Sequence, residues 1–136
     1  MQIIKNYQNE IYSMALSLTG SEQTSKKAAV KAFESLLKSY YADSPETKIE
    51  LYKKLLKNIG IFDIKKKDLN KKGIINSVKH NLGLFDKKVF VLKYEFNCPL
   101  KDIVYILNSN AEKIKKSLYK SAWRVSQIIE DTENEM

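Results

Sequence analysis

The stretch Leu100–Ile129, LKDIVYILNSNAEKIKKSLYKSAWRVSQII, decides how the rest of the chain is read. A short apolar-periodic run ends at the polar triplet Asn108–Asn110, and a long amphipathic run follows. That succession is the pattern of a helix-turn-helix. With Ser109 as N-cap of the second helix and about 100° per residue, Ile114, Leu118, Ser121, Ala122, Val125 and Ile129 share one arc. Lys113, Lys116, Ser117, Lys120 and Arg124 share the opposite one, and Ile103, Ile106 and Leu107 on the preceding helix offer the surface on which the long helix packs. Cations opposite an apolar stripe ordinarily form a solvated face and nothing more. Behind a helix-turn-helix break they stand where a polyanion would lie. The lysines can reach phosphates or guanine edges, and Asn110 can pair with an adenine edge.

Working outward, the charge balance agrees. The 136 residues carry 24 Lys+Arg against 16 Asp+Glu, a formal net charge of +8. Residues 1–64 hold nine Lys against seven acids, residues 65–80 six against one, and residues 81–136 nine basic residues against eight acids. Four of those last eight acids fall in the final seven residues, so basic charge concentrates in the middle of the chain and on the last long helix. That distribution suits nucleic acid better than a membrane surface, because no basic helix with an aromatic apolar face stands alone. The single cysteine excludes an intramolecular disulfide. No apolar run reaches membrane-spanning length, and Met1–Tyr12 lacks the basic-then-apolar layout of a signal peptide, which leads to the expectation of a cytoplasmic protein.

The remaining segments read as helices throughout, an all-α chain of two small helical domains. Ile3, Tyr7, Ile11, Met14, Ala15 and Leu18 recur at helical spacing until Thr19-Gly20 stops the run. Ser21 is placed to cap a second helix whose apolar face is Ala28, Ala29, Ala32, Phe33, Leu36, Leu37 and Tyr40, and the two form an antiparallel pair. Ser44-Pro45-Glu46 starts a third helix through Ile49, Tyr52, Leu55, Leu56 and Ile59, with an extension past Gly60 towards Ile64 as a weaker expectation. Residues 68–80 form a polar, basic connector. Phe85–Phe96 is helical again, with Val89, Leu92 and Phe96 inward, and Asn97-Cys98-Pro99 turns the chain into the helix-turn-helix. The acidic tail is expected to fray. The domains are thus residues 1–67 and 81–136.

Three strings in this order resemble the extracytoplasmic-function sigma factors of bacterial RNA polymerase. Tyr7–Tyr40, above all YSMALSLTGSEQTSKKAAVKAFESLLKSY from Tyr12 onward, resembles the family's helix pair that ends in the helix docking on the polymerase clamp. LYKKLLKNIGIFDIKKK, from Leu51 to Lys67, is similar to the family pattern LYRIARNLAIDxxRR, with Tyr52, Lys53, Lys57, Asn58, Asp63 and the basic run in register. Residues 81–124 look like the C-terminal promoter-binding domain. The resemblance implies an all-helical protein with two partners, core RNA polymerase and promoter DNA, and an anti-sigma protein as a third where one exists. Polymerase contact would fall on Lys27, Val30, Lys31 and Glu34. The minus-ten element would be read by Tyr52, Lys53, Lys57, Asn58, Lys65, Lys66 and Lys67, with Tyr40, Tyr41 or Tyr52 stacking on a flipped base. The minus-thirty-five element would meet Ser109, Asn110, Lys113, Lys116, Ser117, Lys120 and Arg124.

The chain departs from the family pattern at identifiable places. Lys27 and Val30 stand where an acid and a glutamine are usual, Phe85 where proline is common, and the connector is short. Two other functions therefore stand beside the first: a stand-alone helix-turn-helix regulator, and a sigma-like decoy that binds a protein partner without reading DNA. A closed arrangement of the two halves, or a homodimer, is expected from the short connector and exposed apolar faces. His80 and Cys98 are each the only one of their kind, which leaves no metal set or catalytic dyad, and no phosphate loop or nucleophile elbow occurs. No cofactor and no catalytic residue are expected. Trp123 lies beside the cationic arc, where it would pack on the other domain or sit near DNA.

Overall fold

Local capping signals account for several of the helix boundaries. The computed structural model describes residues 2–38, 45–60, 63, 78–79 and 81–134. The helices are α1 (Gln2–Thr19), α2 (Glu22–Leu37), α3 (Pro45–Asn58), α4 (Leu84–Phe90, continued by a π-helical turn over Val91–Glu95), α5 (Leu100–Ile106) and α6 (Ala111–Asn134). Among the described residues there is no strand, and the protein is all-α. No helix among them is long and apolar enough to cross a membrane.

The chain divides into two compact units, one of Met1–Lys65 with Tyr105–Asn108, the other of Lys66–Val104 with Ser109–Met136. In the first, α1, α2 and α3 pack against one another in every pairing. α1 ends at Gly20, whose φ of 70° is a left-handed conformation that costs glycine little, and the Gly20 N–H donates back to the Leu16 carbonyl. Ser21 caps α2 by accepting from the Thr24 N–H at 3.2 Å, and the two-residue link makes α1 and α2 antiparallel neighbours. A buried hydroxyl pair, Thr19 Oγ1 and Ser25 Oγ at 2.8 Å, ties the turn together. Ile11, Met14, Ala15, Leu18, Ala32, Leu36, Leu51, Leu55 and Leu56 form the core of this unit, each large side chain worth about 1.5–3 kcal/mol of burial.

The third helix does not extend past Gly60. It ends at Asn58, and the chain folds back so that the Gly60 N–H donates to the Asp63 carboxylate at 2.7 Å. A carboxylate three residues on satisfies the backbone locally and competes with continued helix, as Asp does elsewhere. The capping residue Ser44, the tyrosines Tyr40 and Tyr41, the run Lys65–Lys67, His80 and the connector apart from Val78 and Lys79 lie outside the described residues.

In the second unit α4 does not remain an α-helix through Phe96. From Val91 it widens into a π turn, with the Phe96 N–H donating to the Val91 carbonyl. The wider turn accommodates one extra residue, and Val89, Phe90, Val91 and Leu92 are all buried in sequence. Phe96, expected inside, is only half-buried. Asn97, at φ 53°, closes the turn, and the Pro99 carbonyl accepts from Ile103 to open α5.

A lysine sits in this apolar layer. Lys87 is only 3% exposed, and burial holds its ammonium at a pKa of about 8, below the ordinary 10.5. Repulsion from Lys79 acts in the same direction, while Glu95, which also accepts Lys79 at 3.3 Å, acts against it. Below about pH 8 folded and unfolded chains both carry the proton, and the cost of the buried charge stands in full. Between about 8 and 10.5 the folded state has released the proton and the unfolded state has not, so stability rises with pH. Discounted for screening, the gain is about 1–2 kcal/mol. Thermal melts should therefore show a higher Tm at about pH 9.5 than at about 7.5, and Lys87→Met should raise the lower-pH Tm and remove the difference. A wild-type Tm falling over that interval would contradict this account of Lys87.

Candidate nucleic-acid interface

Two backbone devices fix the start of α6. Asn108 adopts φ 49°, with its N–H donating to the Tyr105 carbonyl and the Ser109 N–H to Val104. This is a Schellman ending for α5 with asparagine in the left-handed position usually given to glycine. The N-cap is then Asn110 rather than Ser109: Asn110 Oδ1 accepts from the Lys113 N–H at 2.9 Å, and its carbonyl accepts from Ile114. Oδ1 keeps a second lone pair, but its bond to the Lys113 N–H fixes the amide at the helix start, so a bidentate contact with adenine would compete with the cap. Ser109 is half-buried in the turn.

The inward stripe of α6 is rotated from the expected one. Ile114, Ser117 and Ser121 are buried, Leu118, Val125 and Ile128 are half-buried, and Ala122 and Ile129 are exposed. The element that α6 packs on is α4, rather than the preceding short helix, although Ile103 and Ile106 are themselves buried. Two buried serines lie at the centre of the stripe, and the Ser121 hydroxyl donates to the Ser117 carbonyl. Ser117 is therefore removed from the DNA-facing set: it is 2% exposed, and its Oγ has no hydrogen-bond partner. Helical periodicity could not decide between Ser117 and Ala122, because neither is apolar enough to mark a face.

The four cations remain outside. Lys113, Lys116, Lys120 and Arg124 are exposed along one side of α6 and flank the face that meets α4. Lys113 Nζ lies 4.5 Å from the centre of the Phe85 ring. Lys116 pairs with Glu112 at 3.7 Å, and Lys120 with Asp86 at 3.6 Å. The Lys116–Glu112 pair is exposed on both sides and contributes little to stability, and together with the Lys120–Asp86 pair it orders long side chains in a row. Phe85 and Asp86 are neighbours of this row that pattern reading missed. They lie at the start of another helix, and only the packing of α4 on α6 brings them to this row.

Elsewhere the expected residues part company. Tyr52 is wholly buried in α3, its hydroxyl donates to Glu10, and Glu10 also binds Lys48 at 3.2 Å. It is a core residue with a satisfied hydroxyl, not a platform for a flipped base. Its place in the apolar spacing Ile49, Tyr52, Leu55, Leu56 and Ile59 already marked it as inward-facing, while the register with the family pattern gave it the other role. Lys53 is half-buried, while Lys57 and Asn58 are exposed at the end of α3. On α2, Lys27, Val30, Lys31 and Glu34 are all exposed and share one face. Val30 is 55% exposed and borders an apolar cleft of about 560 Å³, with Ile4 and Tyr12 from α1 and Lys26, Ala29 and Phe33 from α2.

No protein-family model matches the chain, and no curated protein matches it. The site thus rests on its own geometry. A row of four cations runs along a helix that starts at a sharp, asparagine-built turn, and one aromatic ring and one carboxylate from α4 steady that row.

Proposed function

We propose that this protein is a sigma-factor-like transcription initiation protein, non-enzymatic by itself, that joins core RNA polymerase and directs it to promoter DNA. The observation that carries the reading is the cation row Lys113, Lys116, Lys120 and Arg124 on the second helix of a helix-turn-helix. A duplex presents a phosphate lattice to such a row, while the capped N-terminus of α6 enters the major groove. The exposed face of α2 with its apolar cleft supports the polymerase half: Val30 gives a partner surface something to bury, and Lys27, Lys31 and Glu34 give it charge to match. The test is size-exclusion chromatography of the purified protein with purified bacterial core polymerase. Co-elution is the expected result, and separate elution would overturn the polymerase half.

Lys27, where the sigma family usually carries an acid, favours a second reading, a helix-turn-helix regulator that binds duplex DNA without polymerase. That protein would shift a duplex in a gel by itself, with log K falling steeply as log salt rises. The sigma reading expects weak duplex binding alone and strong binding in the polymerase complex. A decoy that joins polymerase without reading DNA would co-elute yet give no promoter retention.

A further inference from the structure

A cleft of about 350 Å³ opens in the second unit between the segment leading into α4 and the middle of α6. Gly83 and Asp86 line one side, and Lys120, Trp123 and Arg124 the other. Its size is that of a small-ligand site. Its lining is unusual for a gap between two helices. Trp123 is 60% exposed, although an indole beside a packed helix would gain more by turning inward. Asp86, by contrast, is a charged residue whose side chain is only 19% exposed, held by Lys120 at 3.6 Å. Gly83 contributes open space: a Cβ there would meet no atom within 4 Å, and its backbone, at φ −65°, suits any residue.

These parts match the parts of one kind of ligand. A flat exposed indole stacks on a nucleobase, and base–aromatic stacking is favourable whichever base is present. Arg124, exposed at the edge of the cleft, suits a phosphate by its forked donors. A carboxylate beside them would repel a simple anion, but it accepts hydrogen bonds from a base edge. Guanine offers it two adjacent donors, N1–H and the N2 amino group, whereas adenine offers an amino group beside an acceptor. Lys120, already paired with Asp86, lies where it offsets repulsion between that carboxylate and the phosphate.

We infer that this cleft binds a guanine nucleotide moiety, with the base stacked on Trp123 and read by Asp86, and the phosphate held by Arg124. The moiety can come from a free nucleotide or from the 5′ end of a single strand. Because Lys120 and Arg124 belong to the cation row, occupancy would compete with duplex DNA. The inference itself stands whether or not the polymerase reading does.

Trp123 is the only tryptophan in the chain, so its fluorescence reports on the cleft directly. Guanosine monophosphate, adenosine monophosphate, inorganic pyrophosphate and a short oligonucleotide beginning with 5′-phosphoguanosine would each be titrated into the full-length protein, with correction for ligand absorbance. Saturable quenching by guanosine monophosphate, about tenfold tighter than by the adenosine nucleotide and absent with pyrophosphate, is expected for a free-nucleotide site. Quenching by the oligonucleotide alone would assign the site to a strand end. Asp86→Asn should bring the guanine preference to about twofold or less, and Gly83→Leu should abolish quenching by filling the cleft while leaving the melting curve cooperative. No saturable quenching by either guanine ligand, equal binding of guanine and adenine, or undiminished binding in Gly83→Leu would overturn the assignment.

Discussion

Replacing Lys113, Lys116 and Lys120 together by glutamate is expected to lower affinity for promoter duplex about a thousandfold or more, and to flatten the salt dependence by about three in slope. Each lysine removed takes one phosphate neutralisation with it, and each glutamate gained adds repulsion from a lattice of negative charge. The cost to the fold should be small by comparison. The Lys116–Glu112 pair is exposed on both sides, and Lys113 gives up only its place over the Phe85 ring. Lys120→Glu is the one change with a structural penalty, because it faces the mostly covered carboxylate of Asp86. Circular dichroism of the triple variant guards against mistaking unfolding for lost binding. Lys115→Glu, on the far side of the same helix, is the matched control and should change affinity about tenfold or less. The measurement is anisotropy of labelled promoter DNA, with and without core polymerase. If the triple variant held DNA as well as the parent in both conditions, α6 would not be the DNA-reading element, whereas retained polymerase binding with lost DNA binding fits the sigma-like reading.

Tyr52→Ala should destabilise the first unit by about 3–5 kcal/mol, enough to unfold much of it at physiological temperature. Removing the ring from a wholly buried position opens a cavity in the core, and it leaves Glu10 without the hydroxyl that donates to it. Tyr52→Phe separates the two contributions. It keeps the packing, loses only the hydrogen bond to Glu10, and should cost about 1–2 kcal/mol. Urea denaturation followed by circular dichroism would measure both. A residue that stacked on a flipped base would behave in the reverse manner, with Tyr52→Ala retaining stability while promoter opening failed, and that result would restore the sequence-based role.

These two cases show what a single sequence can carry. The all-α class and the break between α1 and α2 were legible, because Gly20 and Ser21 are local signals whose chemistry acts within three or four residues, whereas α2 ends at Leu37, which is 41% exposed and not part of the buried face expected to run on to Tyr40. The break between α5 and α6 was legible for the same reason, although the cap moved by one residue from Ser109 to Asn110. Less was legible where two candidates shared a neighbourhood and only packing could choose between them. Ser117 and Ala122 flank the expected stripe on opposite sides, and in the folded chain it is the serine that is buried. Tyr52 occupies a motif position and a core position together, and burial decides in favour of the core. Phe85 was noticed only as a departure from proline, yet its ring lies under Lys113. Asp63 ended the third helix through a side-chain-to-backbone hydrogen bond that no periodicity encodes.

The π turn at Val91–Glu95 has a consequence for how the cation row is assembled. One additional residue in a helix advances everything beyond it by about 100° of rotation and about 1.5 Å of rise. Phe85 and Asp86 precede that insertion, while α5 and α6 follow it. Their arrival opposite Lys113 and Lys120 is thus set by the phase of the intervening backbone as much as by any side chain. Deleting exposed Lys93 would remove no buried contact of its own. It would turn the first half of α4 away from the helix it serves, as a gear displaced by one tooth still fits its shaft but no longer meets the wheel beside it.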